Sequence, residues 1–167
     1  MNLKQFQEES KRTMPFNGEP QNHIEFENML GNYAMGLVGE YIEMMDCDNE
    51  EDLTKEIGDV MHYGVGLLEL LDEKVDIELF GDVDEHEGLL AAGTVLELAK
   101  KHIYHRHELP KSRMIELIYE ALGWLRPRNE QQVPQFNNVL QMNIDKLKTR
   151  YPESFTVEDS IARKDVE

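Results

Sequence analysis

The chain has 167 residues, long enough for one domain with a real core, and its 40% hydrophobic and 31% charged residues exclude a disordered chain. Its net charge of −17, from 17 basic and 34 acidic residues, excludes binding of polymeric nucleic acid over a broad surface, because phosphate neutralisation needs Lys and Arg. A single cysteine, Cys47, excludes an internal disulfide and a cysteine-rich zinc site, and no apolar run approaches a membrane span, so a cytoplasmic setting away from membranes is expected.

The opening MNLKQFQEESKRT reads as a polar helix over about 2–13, without the apolar stretch of a signal peptide. The Pro- and Gly-containing MPFNGEPQ reads as a loop. A long helix is predicted over about 23–46, with Met29, Leu30, Tyr33, Leu37, Val38, Tyr41, Ile42 and Met45 at helical spacing. The next runs from near Asn49 to about 74 on the stripe Leu53, Ile57, Val60, Gly64, Leu67, Leu68 and Leu71. Residues 75–83 connect to a second helix pair, about 85–104 and 111–125, joined by HRHELPKS. The polar turn RPRNEQQVP leads to a last helix over about 134–149, built on Phe136, Val139, Leu140, Ile144 and Leu147. The tail from Tyr151, polar and carrying Pro152, adds no further element. Six helices and no strand make the fold all-α: a single domain over 1–167, with a four-helix core of two helical hairpins and flanking helices. No linker is long enough to split it.

Two carboxylate pairs stand out, Glu40 with Glu43 and Glu56 with Asp59, each three residues apart and so each on one helix face. The first face continues as Met29, Tyr33, Gly36 and Cys47, the second as Tyr63, Gly66 and Leu70. Neither continues into Lys, Arg or further acids, as a solvated face would. Four carboxylates converging in a half-buried site need protons or cations among them, since like charges repel and desolvation is costly. An all-oxygen set suits Mg²⁺, or Mn²⁺ as the other hard ion, and such an ion leaves positions for water and substrate phosphate oxygens. That points to phosphoryl or nucleotidyl chemistry. Gly36 and Gly66 would allow close helix approach beside the site.

The letters around these pairs, GLVGEYIEMMD and KEIGDVMHY, resemble the MazG-like all-α nucleoside triphosphate pyrophosphohydrolases. FQEESKRT is similar to that family's opening and NIDKLKTRYPESF to its C-terminal segment, so the resemblance touches both ends and the middle. It implies cleavage of a nucleoside triphosphate between the α and β phosphates, giving a monophosphate and pyrophosphate. It also implies Mg²⁺ held by Glu40, Glu43, Glu56 and Asp59, and a role in trimming the nucleotide pool. Glu40 or Glu43 would assist deprotonation of the attacking water, the choice between them being open.

Residues 93–125 read as a degenerate second copy of the 39–68 unit, with Gly93 at the place of Gly39, Thr94 at Glu40 and Glu97 at Glu43. Anchored on Trp124, the register puts Ile118 and Ala121 at the places of Glu56 and Asp59, while another register would bring Glu116 or Glu120 there; on the first, this copy is expected to hold no metal. It carries Lys100, Lys101, His102, His105, Arg106 and His107 instead. Lys100, Lys101 and His105 are therefore expected to supply cations to the triphosphate. The copy would also fill the place that a second subunit takes in simple dimeric relatives, although a homodimer of the whole chain is compatible with the sequence. In the last helix Asn143, Lys146 and Arg150 share one face and are candidates for substrate binding, the cations on phosphate and Asn143 on a base or sugar. Lys148 is equally well read as a solvated helix end. Asp59 and His62 form one loose counterpart of the Glu-x-x-His pairs of di-iron bundles, which makes a ferritin-like oxidase a distant alternative. The non-enzyme alternative is a catalytically silent helical bundle that binds a nucleotide or a partner.

Overall fold

Asn2, Asn22, Asn49, Asp84 and Thr156 each turn a side-chain oxygen onto the backbone N–H three residues on, and a helix begins after each. The structure, a computed structural model, describes residues 1–163, and all regular structure among them is helical. The α-helices are α1 (Leu3–Lys11), α2 (His23–Met45), α3 (Glu50–Leu70), α4 (Glu85–His105), α5 (Lys111–Gly123), α6 (Val133–Arg150) and α7 (Val157–Ala162). Pro134 sits in the first turn of α6, where a missing N–H breaks no helical bond.

α2 and α3 form an antiparallel hairpin stitched by a reciprocal pair of contacts. The Tyr63 ring lies where a side chain on Gly36 would be, and the Tyr33 ring lies where one on Gly66 would be. α4 runs antiparallel to α2 and packs with α5 into a second hairpin. Ile103 meets Gly31 at one end, while at the other the Tyr41 hydroxyl fills the place of a Gly88 side chain and donates to the Ala121 carbonyl at 3.1 Å. α6 covers α3, with Asn143 seated on Gly58; a Cβ there would fall 2.9 Å from the Asn143 Cβ. α1 lies across α3 and α6: Lys11 pairs with Glu69 at 3.2 Å and Glu9 with Lys148 at 2.9 Å. Gln7, buried, donates to the Glu73 carbonyl and accepts from the Val75 N–H, which pins the chain as it leaves α3. Between the hairpins Leu30, Leu37, Tyr41, Leu68, Ile118 and Leu122 are fully buried. No helix among the described residues is long and apolar enough to cross a membrane.

Three expectations need correction. The tail is not without structure: Thr156 caps a seventh helix, too short for hydrophobic periodicity to reveal. Ile42 and Met45 face outward, at 54% and 43% exposed, and Met44 takes the inward place in the last turn of α2. α3 ends at Leu70 rather than near 74, because Asp72 takes a positive φ of 55° and the Glu73 N–H turns back to the Leu68 carbonyl.

Candidate functional site

The loop between α2 and α3 is four residues long, so the last turns of α2 face the first turns of α3. This brings Glu40 and Glu43 opposite Glu56 and Asp59. One carboxylate oxygen from each of Glu40, Glu43 and Glu56 lies within 4.8 Å of the other two. Asp59 stands beside this trio and is already partnered: its Oδ1 accepts from Asn143 Nδ2 at 2.7 Å, and its Oδ2 pairs with the Lys146 ammonium. Gly58 makes this partnership sterically feasible, since only a residue without Cβ lets α6 press Asn143 down to Asp59.

The trio has no such compensation. Burial holds the Glu40 carboxyl well above the ordinary range, at about 8, helped by the Asp59 charge, a hydrogen bond with Glu56 and the charges of Glu43 and Glu56. Burial and the Asp59 charge raise Glu56 too, against the Glu40 hydrogen bond and the Lys146 charge. The two carboxyls thus share a proton in the metal-free protein. Glu56 Oε2 is buried with no hydrogen-bond partner. A buried acceptor without a partner costs stability and calls for a cation or a donor. All three contributors are oxygen donors, the set that suits a hard divalent cation.

The carboxylates line one end of a cleft of about 470 Å³. Its walls come from α2, α3, α6 and the tail. Lys146 and Arg150 descend from α6, and Arg163 reaches in from beyond α7. One turn along α3 from Asp59, Tyr33, His62 and Tyr63 form a triad of rings with centroids 5.3–5.7 Å apart. Burial pushes the His62 imidazole down to about 4, against the Asp59 charge, so it is neutral.

Glu40, Glu43, Glu56, Asp59, Asn143, Lys146 and Arg150 are brought together by the fold, but Lys100, Lys101 and His105 are not part of the cleft. Lys100 and Lys101 both pair with Glu97 on their own helix, at 2.6 and 3.7 Å, and His105 is exposed. Antiparallel packing puts Gly88 of α4, not its basic end, beside Tyr41. Ile103, which lies among these cations, meets Gly31, roughly 13–18 Å along α2 from Glu40 and Glu43 at 1.5 Å per residue. Nor does the second hairpin hold an equivalent site. Ile118 and Ala121 are fully buried between the hairpins, and Thr94 and Glu97 lie on an outward face. Lys100→Ala, Lys101→Ala and Glu97→Gln are therefore each expected to change kcat/KM on a nucleoside triphosphate by less than about twofold, as isolated surface pairs contribute little. Steady-state kinetics with one triphosphate checks all three.

The chain matches no known family model, no curated protein and no solved structure. The site therefore rests on its own geometry. Arg163 and Ser160 belong to that geometry and carry no sequence signal, since a short polar tail shows no period, whereas Tyr151 and Phe155 fall within NIDKLKTRYPESF, the C-terminal segment of the resemblance. His62 had a visible signal in its three-residue spacing from Asp59, but that spacing suggested a metal ligand. The structure instead sets His62 at the floor of the cleft, its Nε2 3.5 Å from the Tyr33 hydroxyl.

Proposed function

We propose that this chain is a divalent-cation-dependent nucleoside triphosphate pyrophosphohydrolase, as its resemblance to the MazG-like enzymes implies. The observation that carries this reading is the division of one cleft into an acidic end and a cationic wall. Glu40, Glu43 and Glu56 present under-compensated carboxylates, and Lys146, Arg150 and Arg163 line the same space. A polyphosphate is the common ligand that needs both a metal and cations.

Glu40, Glu43 and Glu56 would hold Mg²⁺, with Asp59 joining them when Lys146 turns from it to substrate. A bound ion would supply charge neutralisation at the phosphate oxygens. Glu40 or Glu43 would assist deprotonation of the attacking water, Glu43 lying nearer solvent. Water oxygen bonds to the α phosphorus as the bond from that phosphorus to the bridging oxygen breaks. The products are a nucleoside monophosphate and pyrophosphate. Lys146 and Arg150 bind the departing pyrophosphate oxygens, Arg150 through its planar fork.

The test is pyrophosphate release from a panel of deoxynucleoside triphosphates, with Mg²⁺ and after EDTA. Release of orthophosphate, or no release from any triphosphate, overturns the reading. Lys146→Ala is expected to lower kcat/KM roughly 10- to 100-fold, the loss of one charge-assisted contact. Base preference should not change, because phosphates are common to all nucleotides. A Lys146→Ala protein as active as the parent would mean that the ammonium serves only to neutralise Asp59.

A further inference from the structure

Both oxygens of Asp59 are engaged by α6. Asn143 Nδ2 donates to Oδ1 at 2.7 Å, and the Lys146 ammonium pairs with Oδ2. The two partners are not equally free to move. Asn143 is buried, at 4% exposed, and seated on Gly58, so it keeps the Asp59 carboxylate turned one way. The Lys146 side chain is 30% exposed and lines the cleft on a flexible four-carbon stem. Asp59 is its one ion pair among the described residues. The ammonium charge also reaches the trio, where it opposes the upward displacement of the Glu56 carboxyl.

An ammonium on Oδ2 stands where a ligated cation would stand. A divalent cation among Glu40, Glu43 and Glu56 can use Asp59 only if Lys146 leaves it, because two cations on one oxygen repel at close range. Lys146 does not leave without cost. An ammonium half-withdrawn from water and parted from its carboxylate is left uncompensated. A phosphate group in the cleft removes that cost by offering the ammonium another anion. Asn143 keeps Oδ1 throughout, so the carboxylate holds its direction whichever cation sits on Oδ2.

We propose that Lys146 is a built-in competitor for the metal at Asp59, and that a phosphate-bearing ligand lifts the competition by drawing the ammonium to itself. Without such a ligand the protein holds its ion through Glu40, Glu43 and Glu56 alone. Asp59 completes the set when phosphate is present. This rests on the divalent-cation reading above and adds to it a coupling between metal and ligand. Such coupling is reciprocal: by whatever factor phosphate tightens the metal, the metal tightens phosphate. An empty cleft therefore keeps a loosely held ion, and the complete site assembles around a polyphosphate.

The experiment reads Mn²⁺ binding to the full chain by calorimetry, in chloride and with inorganic phosphate in its place. It compares the parent, Lys146→Met and the double variant Asp59→Asn/Lys146→Met. Lys146→Met keeps an apolar stem and removes the charge. In chloride it is expected to bind Mn²⁺ roughly 5- to 150-fold more tightly than the parent, the range of an ordinary coupling. The double variant removes the ion pair as a neutral unit, so it should bind Mn²⁺ within about threefold of the parent. Phosphate should narrow the gap between the parent and Lys146→Met to about threefold or less. Complexing of Mn²⁺ by phosphate affects all three proteins alike, so the comparison cancels it.

A Lys146→Met protein that binds Mn²⁺ no more tightly than the parent overturns the proposal, and so does a gap that phosphate leaves unchanged. A double variant as weak as Glu56→Gln overturns it too, since Asp59 would then be a ligand already in the free protein. That variant leaves neither position with an unpaired charge, so it keeps the test open if Lys146→Met folds poorly. If the Mn²⁺ affinities follow the expected order while no triphosphate is split, the competition stands and the pyrophosphohydrolase reading falls. If pyrophosphate is released with Mg²⁺ while Lys146→Met gains no affinity for Mn²⁺, the reading stands and the competition falls. If no protein binds Mn²⁺, both fall.

Discussion

Glu43→Gln and Glu56→Gln are each expected to lower pyrophosphate release on the order of 100-fold or more while the protein remains folded. An amide oxygen is a weaker donor to a hard cation than a carboxylate, and Asp59, the fourth acid of the cleft, is already held by Asn143 and Lys146. The fold should survive because the substitution removes one of several like charges held close together; for Glu56 it also removes a buried, partnerless anionic oxygen. Thermal unfolding in EDTA should therefore show the Glu56→Gln midpoint at or above that of the parent, while Mg²⁺ raises the parent's midpoint and leaves the variant's nearly unmoved. The two readouts need to move in opposite directions. An inactive variant that also melts several degrees lower would make Glu56 a structural residue, and a fully active one would remove it from the site.

Stability of the metal-free protein should fall as pH rises from about 6.5 to about 8 and level off above that. The folded Glu40 carboxyl keeps its proton to about 8, whereas the unfolded chain loses it near the ordinary value of 4.5. Between those values the native state binds the extra proton, so raising the pH favours unfolding. Glu56 acts in the same direction. His62 acts in the opposite one: its folded value of about 4 against an ordinary 6.5 means that stability is lost as pH falls through that interval. The acids outweigh it above 6.5 and act alone above about 7.5. A divalent cation binds the ionised cluster, so saturating Mg²⁺ should abolish the decline, and Mg²⁺ affinity should increase across the same window with release of a proton. Unfolding midpoints at pH 6.5, 7.5 and 8.5, in EDTA and in Mg²⁺, test this. A Glu40→Gln protein with the same decline as the parent would show that its source lies elsewhere.

Much of the architecture was legible because helix faces repeat. The apolar stripe of α3 and the buried face of α6 follow directly from three- and four-residue spacing. The same spacing gave the four acids, and the short α2–α3 loop then forces them to meet. What was not legible depends on how separate helices lie against one another. Lys100 and Lys101 have the right charge, yet the direction of α4 carries them away from the acids, and no local pattern encodes that direction. Asp59 reads like its three neighbours in sequence. Its partnership with Asn143 and Lys146 depends on Gly58 as a seat for α6, a contact across 84 residues of chain. Ile42 and Met45 fit the apolar period but lie on the edge of the α2 stripe, where a small rotation decides between core and solvent.

The separation of Asp59 from Lys146, 87 residues, also has a consequence in time. At a synthesis rate of about 5–20 residues per second, a ribosome makes Lys146 roughly 4–17 s after Asp59. The α2–α3 hairpin can emerge and pair in that interval with its four acids facing one another and no ammonium among them. α1, made first of all, can meanwhile meet α3 through Lys11 and Glu69 but not yet α6, where Glu9 comes to pair with Lys148. The nascent chain thus carries an exposed anionic pocket before it carries the wall that tempers it. A divalent cation would supply the compensation that the hairpin lacks during those seconds, and a hairpin closed around one would meet α6 already loaded.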